Sequence, residues 1–276
     1  DVSRSYRAVL VVHNETSTGV TSDVAAIREA IDRSGHDALL IVDTVSSLGS
    51  IDFRFDEWRV DVALAGSQKG LMLPPGLALL CVGERALEVS RRGGGPRSFF
   101  DWRRIIADNE AGFFPYTPAT LLLFGLREAL DLLLEEGLAN VFARHARLAT
   151  GVRAAVAAWE LENLCADPRL YSNSLTAVVM PEGHSSDDVV RVARSRFNLD
   201  LGVGLSRLKG KIFRIGHLGA LNELEVLATL GGVELTFAEI GIPVQLGSGV
   251  AAAQQQFVRG HPLDASAAPP AGIVSH

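Results

Sequence analysis

Amine chemistry in this chain depends on very few side chains, because only three of its 26 basic residues are lysines. Arginine never gives up its proton in proteins, so it cannot form an imine with a carbonyl compound. Lys209 and Lys211 flank Gly210 in a short polar turn, where a solvated charge is the ordinary role. Lys69 differs, because it follows the apolar run VALAGSQ and precedes GLMLPPG. Such a run is typical of a buried strand, so Lys69 is predicted to stand at a strand end.

Strand ends are where open α/β sheets bind their ligands. A lysine amine at such a position is suited to act as a nucleophile in imine formation. A lone lysine in a loop is more often a plain surface residue, so its neighbours decide the interpretation. Asp43 ends the apolar run ALLIV, and its carboxylate is predicted to point into the same crevice. Taken alone, Asp43 is equally compatible with a helix cap or a loop carboxylate.

Together these two residues match the needs of one cofactor. Pyridoxal 5′-phosphate requires a lysine that forms an imine and an acid that pairs with its pyridinium nitrogen. The acid keeps the ring protonated, so the ring can accept electrons from a substrate Cα. A third polar segment, residues 13–19 (HNETSTG), also follows an apolar run. It offers hydroxyl and backbone N–H groups to a polar ligand, or it is a plain Ser/Thr turn.

The elements that would position these residues alternate between strand-like and helix-like segments. AVLVVH, ALLIVD, VDVALAG and GLALLCVG are typical of buried strands, and SDVAAIREAIDRSG is typical of a helix that Ser22 caps and Gly35 ends. This alternation predicts an α/β fold with a mainly parallel sheet over residues 1–136. Cys81 falls within the fourth strand and is expected to be an inert core thiol.

Residues 91–119 interrupt the alternation with a connection rich in Gly, Arg and aromatic residues. A loop of this length is usually functional or part of an interface. Thr117 then fits the N-cap, and Pro118 the first position, of a strong helix that ends at Gly137.

Residues 137–258 are predicted to form a smaller α+β domain. Two strands, LTAVVMP and KIFRIGHLG, alternate there with helices. Asn222 is followed by Glu225 three residues on, which is a capping-box variant at a helix start. Residues 259–276 are rich in Pro, Ala and Gly and are predicted to be a disordered tail.

HNETSTGV, LLIVDTVSSLG and SQKG with PPG close behind it resemble the class V aminotransferases of pyridoxal phosphate fold type I. YTPAT, LCADP and FRIGHLG are similar to the alanine/serine/aspartate:glyoxylate aminotransferase branch. The resemblance extends to about Phe257. It implies transamination between serine, alanine or aspartate and glyoxylate, giving glycine and a 2-oxo acid, in a homodimer. It also implies that the N-terminal part of the cofactor site is missing here, so an inactive truncated fragment is one alternative.

The resemblance implies particular roles around the cofactor. Lys69 would form the imine and move the proton between the substrate Cα and the cofactor. Asp43 would pair with the pyridine nitrogen, while Val45 would pack on one face of the ring. Thr16 would hydrogen-bond the phenolic oxygen, and Gln68 would contact the phosphate.

Two further residues receive roles from the same resemblance. Thr117 would reach the cofactor phosphate of the neighbouring subunit, in agreement with the anion affinity of a capped helix N-terminus. Arg214 would bind the substrate α-carboxylate with a bidentate pair of hydrogen bonds. If Phe213 and Ile215 pack into the core, strand alternation turns Arg214 towards the cleft between the domains.

Composition excludes several other classes of protein. A net charge of −6 argues against nucleic acid as a partner, and no apolar run has the length of a membrane span. No signal peptide is visible, so the protein is expected in the cytoplasm. Two cysteines exclude a disulfide scaffold and a cysteine-based zinc site, and no metal is expected. A cysteine desulfurase is the enzymatic alternative, but neither Cys81 nor Cys165 lies in electropositive, exposed surroundings.

Overall fold

The computed structural model describes residues 5–95 and 97–259 of the chain. In this part the strands are β1 (Ala8–Val12), β2 (Asn14–Glu15), β3 (Val20–Thr21), β4 (Leu39–Asp43), β5 (Val62–Gly66), β6 (Ala78–Val82), β7 (Leu175–Val179), β8 (Gly202–Val203) and β9 (Ile212–Gly216). The helices are α1 (Val24–Arg33), α2 (Glu84–Arg92), α3 (Trp102–Glu110), α4 (Thr120–Glu136), α5 (Leu138–Ala158), α6 (Ser186–Phe197), α7 (Glu223–Ile240) and α8 (Ser248–Arg259). Short 3₁₀ turns lie at Ser98–Phe100, Pro168–Leu170 and Ser206–Leu208.

The larger sheet has four strands in the order β1-β4-β5-β6. β1, β4 and β5 are parallel, which confirms the predicted mainly parallel sheet, whereas β6 pairs antiparallel with β5. The reversal follows from the short connection before β6, because a parallel return needs a longer crossover. The prediction that β6 is buried is wrong. Leu80 and Cys81 are exposed, because β6 lies at the edge of the sheet.

Helix α1 covers one face of this sheet. Apolar side chains of α1, β4 and β5 form a shared core that includes Val24, Ile31, Leu40, Val42 and Ala63. The N-cap of α1 is Asp23 rather than the predicted Ser22. An Asp23 side-chain oxygen accepts a hydrogen bond from the Ala26 N–H at 2.8 Å, which satisfies a backbone donor of the first turn. The cap therefore lies one residue later than the sequence pattern indicates.

The connection between the two helices α2 and α4 contains α3, which the sequence pattern did not predict. Asp101 caps α3 by accepting a hydrogen bond from the Arg103 N–H at 3.1 Å. None of the residues of α3 is buried. A helix without a buried stripe lacks the apolar periodicity that marks a helix in a sequence.

Helix α4 begins at Thr120, so the predicted N-cap at Thr117 is wrong. Ala119 occupies the N-cap and makes no side-chain capping bond. The Pro118 carbonyl accepts a hydrogen bond from the Thr120 N–H at 2.9 Å, so the chain still turns tightly at this point. Gly137 ends α4 as predicted, with a φ of +81° that glycine adopts readily.

The C-terminal half forms a second core around a three-stranded antiparallel sheet in the order β7-β9-β8. Phe213 and Ile215 of β9 are fully buried in it among α5, α6, α7 and α8. Asn222 and Glu225 form the predicted capping box at the start of α7. Of the predicted tail, Arg259 ends α8 and residues 260–276 lie outside the described part of the chain. Across residues 5–95 and 97–259, no helix combines the length and apolarity that crossing a bilayer requires.

Candidate active site

Asp43 and Lys69 lie at the same edge of the larger sheet. Asp43 is the last residue of β4, and Lys69 follows shortly after Gly66, the last residue of β5. The two strands are parallel, with Asp43 paired to Leu64, so both strand ends point the same way. The Thr44 N–H donates to the Leu64 carbonyl at 2.9 Å and continues this alignment past the strand end. The structure therefore places Asp43 and Lys69 at the same edge of the sheet.

The loops that carry Asp43 and Lys69 touch through their backbones. A Cβ atom at Gly70 would lie 2.1 Å from the Leu48 carbonyl oxygen, so only glycine fits there. Gly49 on the opposite loop has a φ of +75°, and a Cβ atom built on it would lie 2.9 Å from the Gly70 carbonyl oxygen. This close approach holds the Lys69 loop directly against the loop that follows Asp43.

The Asp43 carboxylate is half-buried, and one of its two oxygens accepts a hydrogen bond. Its Oδ1 accepts a hydrogen bond from the Val45 N–H at 2.8 Å, which places the half-buried Val45 beside it. Its Oδ2 accepts no hydrogen bond from any residue that the structure describes. An ionised carboxylate with a free oxygen can accept a hydrogen bond from a protonated ring nitrogen.

Thr16 lies in the turn of the β2–β3 hairpin, at the same sheet edge. Asn14, at the base of this hairpin, donates to the hydroxyl of Ser46 at 2.9 Å and to the hydroxyl of Ser174 at 3.0 Å. Ser46 in turn donates to the Asn14 carbonyl at 2.7 Å. These bonds tie the Thr16 hairpin both to the loop after Asp43 and to the C-terminal core.

Arg214 reaches this hairpin from β9. Its Nη1 donates to the Thr16 carbonyl at 2.9 Å, and its Nε donates to the Val203 carbonyl at 3.0 Å. Its Nη2 makes no hydrogen bond with the residues in the described ranges. Burial lowers the pKa of the guanidinium, whereas the nearby Glu15 carboxylate raises it. A charged group with free N–H donors beside Thr16 can bind a carboxylate.

Gln68 and Thr117 are the two predicted site residues whose side chains are exposed. The Gln68 side chain folds back over Gly66, with its Oε1 2.7 Å from the position of a Cβ atom there. Thr117 makes no described contact with the sheet edge and lies in the segment before α4. Because Thr117 does not cap α4, the helix-terminus argument for phosphate binding at this residue does not hold.

His13 is a feature of the site that the sequence pattern places incorrectly. The pattern groups it with a polar ligand-binding segment, but its side chain is buried and its ring contacts the rings of Phe53 and Trp58. Its Nδ1 forms a 2.9 Å hydrogen bond with the Ser47 hydroxyl. Burial lowers the pKa of His13 to about 4, although Asp52 opposes the change, so the ring is neutral at neutral pH. The hydrogen bond between His13 and Ser47 thus stabilises the loop that follows Asp43.

This arrangement, with Asp43 at the end of β4 and Lys69 in the loop after β5, is that of the fold type I class of pyridoxal-phosphate-dependent transferases, to which the similar solved structures belong. The model of the family "Aminotransferase class-V" matches residues 1–206. The serine–glyoxylate aminotransferase of Methylorubrum extorquens is 50% identical over 268 residues, which cover 95% of this chain and 66% of that protein. The chain therefore belongs to the class-V aminotransferase family, as its motifs predicted.

Two further relatives agree with this assignment. The L-aspartate–glyoxylate aminotransferase of Paracoccus denitrificans is 49% identical over 257 residues, which cover 93% of this chain and 65% of that protein. The crystal structure of ureidoglycine–glyoxylate aminotransferase from Bacillus subtilis superimposes with a TM-score of 0.84 at 32% identity, covering 91% of this chain and 65% of that one. The chain spans about two thirds of the length of these relatives.

Proposed function

We propose that this protein transfers an amino group between an amino acid and glyoxylate, with pyridoxal 5′-phosphate as its cofactor, giving glycine and a 2-oxo acid. The observation that carries the proposal is the pair Asp43 and Lys69 at neighbouring parallel strand ends, in loops locked together at Gly70. The names of similar proteins, serine–glyoxylate and L-aspartate–glyoxylate aminotransferase, support glyoxylate as the acceptor.

Lys69 and Asp43 fit the cofactor's requirements, whereas the other two lysines do not. Lys209 and Lys211 are exposed and lie just before β9, away from the ends of the parallel strands. Lys69 is half-buried at the sheet edge, which makes its amine the group to bind the cofactor covalently. The free Oδ2 of Asp43 would pair with the ring nitrogen and keep it protonated.

The other residues at the sheet edge would hold different parts of the cofactor. Val45 is fixed through its backbone N–H to Asp43 and would pack on one ring face. The Thr16 hydroxyl would bind the phenolic oxygen, supported by a hairpin that is anchored on three sides. Gln68 is exposed beside Gly66 and would contact the phosphate.

When bound, the cofactor supplies an electron sink for the bonds at the substrate Cα. The Lys69 Nζ would take the proton from the Cα of the amino donor and pass it to the cofactor within the same half-reaction. In the second half-reaction it would move a proton the opposite way, from the cofactor to the Cα of the new glycine. The Arg214 Nη2 would bind the substrate α-carboxylate through a charge-assisted hydrogen bond. Because the amino acid and the 2-oxo acid present the same carboxylate, one guanidinium serves both half-reactions.

The amino donor belongs to the group formed by serine, alanine and aspartate. Arg214 recognises the carboxylate that these amino acids share, and it does not distinguish their side chains. Relatives of nearly equal identity are named for serine and for aspartate, so similarity alone does not rank the donors. Comparing kcat/KM for the three amino acids with glyoxylate as acceptor will rank them.

A homodimer is the assembly that the exposed apolar side chains support. Large apolar residues are exposed to solvent in the 3₁₀ turn before α3, in the segment between α3 and α4, and along α4: Phe99, Phe100, Phe113, Phe114, Leu121, Phe124, Leu130, Leu132 and Leu134. Exposed apolar area on this scale marks an interface, and C₂ dimers are the commonest assembly. Thr117 lies within this segment and would reach the partner's cofactor phosphate.

Sedimentation tests this assembly directly. The protein expressed from its complete reading frame should sediment as a dimer. Leu121→Glu should shift the protein to a monomer, because Leu121 is 87% exposed and the charge would lie in the proposed interface. Val258→Glu is the control, because Val258 is also exposed but lies on α8. A monomeric unmodified protein would refute the proposed interface.

The cysteines argue against a desulfurase. The prediction that Cys81 is a core thiol is wrong, because the residue is exposed on β6. Its surroundings nevertheless raise the pKa of the thiol, through partial desolvation and then the Asp56 charge, so the reactive thiolate is disfavoured. Cys165 is buried and its Sγ lies 3.4 Å from the Asp167 carbonyl oxygen.

Absorbance of the cofactor-loaded protein tests the proposed function. The protein expressed from its complete reading frame should gain a visible absorbance band with pyridoxal 5′-phosphate, and borohydride should fix the cofactor to Lys69. Lys69→Ala should abolish the band and the turnover of glyoxylate. Lys209→Ala is the matched control and should change neither. Labelling of Lys209, or turnover by Lys69→Ala at the unmodified rate, would overturn the proposal.

A further inference from the structure

Two adjacent residues of α5 hold one glycine from both sides. The Gly219 N–H donates to Nε2 of His145 at 3.0 Å, and Nη1 of Arg144 donates to the Gly219 carbonyl at 2.8 Å. The same Nη1 also lies 3.2 Å from the Leu221 carbonyl oxygen. Gly219 has a φ of +92°, which other residues rarely adopt. A backbone position that only glycine tolerates is thus held by both of its polar groups.

The ring of His145 is fixed in the tautomer that this contact needs. His145 is completely buried, and its Nδ1 lies 2.7 Å from the Val141 carbonyl oxygen. A carbonyl oxygen only accepts hydrogen bonds, so Nδ1 carries the proton and Nε2 presents its lone pair to Gly219. Burial also lowers the pKa of His145, which keeps the ring neutral. His145 therefore acts as a permanent acceptor.

Arg144 is held in place by a second, independent contact. Its Nε and Nη2 donate to the two carboxylate oxygens of Glu136 at 2.7 and 2.9 Å, a bidentate pair that leaves Nη1 for the backbone. Arg147 extends the attachment, because it pairs with Glu223 at the start of α7. Residues 219–223 are thus fastened to α5 at three points.

This segment lies between the two groups on which the proposed reaction depends. On one side it continues from β9, which carries Arg214. On the other side, a Cβ atom at Gly219 would lie 3.9 Å from the Lys69 carbonyl oxygen, in ordinary contact distance. Leu71, close to Lys69 in the chain, packs against Val141 of α5 in a shared core. One turn of α5 therefore contacts both the Lys69 loop and the segment that follows Arg214.

We propose that Arg144 and His145 are positioning residues that fix the Arg214 guanidinium at its working distance from the Lys69 amine. This inference rests on the proposed function, in which Arg214 binds the substrate carboxylate and Lys69 handles the Cα proton. Both the amino acid and glyoxylate must span that distance. A displacement of about 1 Å between such groups costs up to a hundredfold in rate, so the attachment at Gly219 matters for catalysis.

Graded variants separate positioning from plain stability. His145→Leu removes the acceptor for the Gly219 N–H, and Arg144→Met removes the donor for its carbonyl. His145→Gln keeps a side-chain acceptor and should restore most of the function. Arg196→Met is the matched control, because Arg196 also pairs with a carboxylate, that of Glu239, on the exposed side of α6.

The measurements are steady-state kinetics and amide hydrogen exchange on the protein expressed from its complete reading frame. His145→Leu and Arg144→Met should speed exchange in residues 217–221. They should also lower kcat/KM by about tenfold, and by the same factor for the amino donor and for glyoxylate. The visible absorbance band of the bound cofactor should remain. Arg196→Met should change none of these readouts.

Two outcomes would overturn the inference. Unchanged exchange in residues 217–221 would show that α5 does not hold the segment, and faster exchange with unchanged kcat/KM would show that the segment does not position Arg214. The failure of the proposed function looks different, because the unmodified protein would then show no transamination in the first place. In that case faster exchange in His145→Leu would still show that α5 holds residues 217–221. The inference that this attachment positions Arg214 for catalysis would be overturned.

Discussion

Arg214→Lys keeps a positive charge at the carboxylate-binding position and removes its planar set of donors. In the structure the guanidinium already donates hydrogen bonds to two backbone carbonyls, those of Thr16 at 2.9 Å and Val203 at 3.0 Å. A lysine ammonium is a point charge on a flexible stem, and it cannot reproduce a fork of donors in fixed directions. The variant must therefore give up hydrogen bonds with the hairpin, the substrate or both.

The size of the effect follows from the number of hydrogen bonds that the lysine cannot make. A hydrogen bond from a charged donor contributes about 1.5–3 kcal/mol, which corresponds to roughly ten- to a hundredfold in kcat/KM. The decrease should be equal for the amino donor and for glyoxylate, because both present the same carboxylate to Arg214. Because Arg214 also donates a hydrogen bond to the Thr16 carbonyl, we expect the absorbance band of the bound cofactor to shift as well.

Steady-state kinetics with each substrate varied in turn, together with an absorbance spectrum, provides the assay. Arg196→Lys is the control, since Arg196 is an exposed arginine of α6 that pairs with Glu239. Unchanged kcat/KM for both substrates would refute the carboxylate-binding role of Arg214. A decrease confined to one substrate would refute the argument that a shared carboxylate is recognised.

Three further predictions concern the carboxylate, the close approach of the loops and a buried histidine. Asp43→Asn should retain cofactor binding but lose most of kcat, because a neutral amide does not keep the pyridine nitrogen protonated, and near-normal turnover would remove Asp43 from the site. Gly70→Ala should destabilise the fold by about 3 kcal/mol in urea unfolding, because its Cβ atom would lie 2.1 Å from the Leu48 carbonyl oxygen. Gly94→Ala has open space around it and serves as the control; equal stability of the two variants would contradict the geometry. Burial lowers the pKa of His217 from 6.5 to about 3, so between these values the unfolded chain binds the extra proton and stability falls as the pH falls. From pH 8 to pH 5 this single group should cost about 2 kcal/mol of unfolding free energy, and His217→Gln should lose that much less over the same range.

The location of Asp43 and Lys69 at one edge of the sheet was predictable because it depends on chain order. Apolar runs that end in Asp43, or shortly before Lys69, indicate buried strands and mark where each strand stops. In a parallel sheet those stopping points share one edge, so both residues lie at that edge. The alternation of Phe213, Arg214 and Ile215 along β9 placed the two apolar residues in the core for the same reason, since strand side chains point to opposite faces in turn.

Other predictions failed where the local sequence pattern does not depend on the tertiary environment of the residues. Helix α3 has no buried residue, so no apolar stripe distinguishes it from a loop. Thr117 followed by Pro118 has the composition of a helix start, yet the chain enters α4 only at Thr120. Cys81 lies in an apolar run, but exposure depends on whether another element covers that face of β6, and composition does not show this.

The sequence by itself determined that Asp43 and Lys69 follow neighbouring buried strands, because residue type and periodicity are properties of the chain alone. The tertiary structure decided which distant residues support them. His13 is buried beneath Phe53 and Trp58, and His145 accepts a hydrogen bond from Gly219, across sequence separations over which no periodicity extends. These contacts depend on how helices and strands pack in three dimensions, and packing depends on the shapes of many side chains at once.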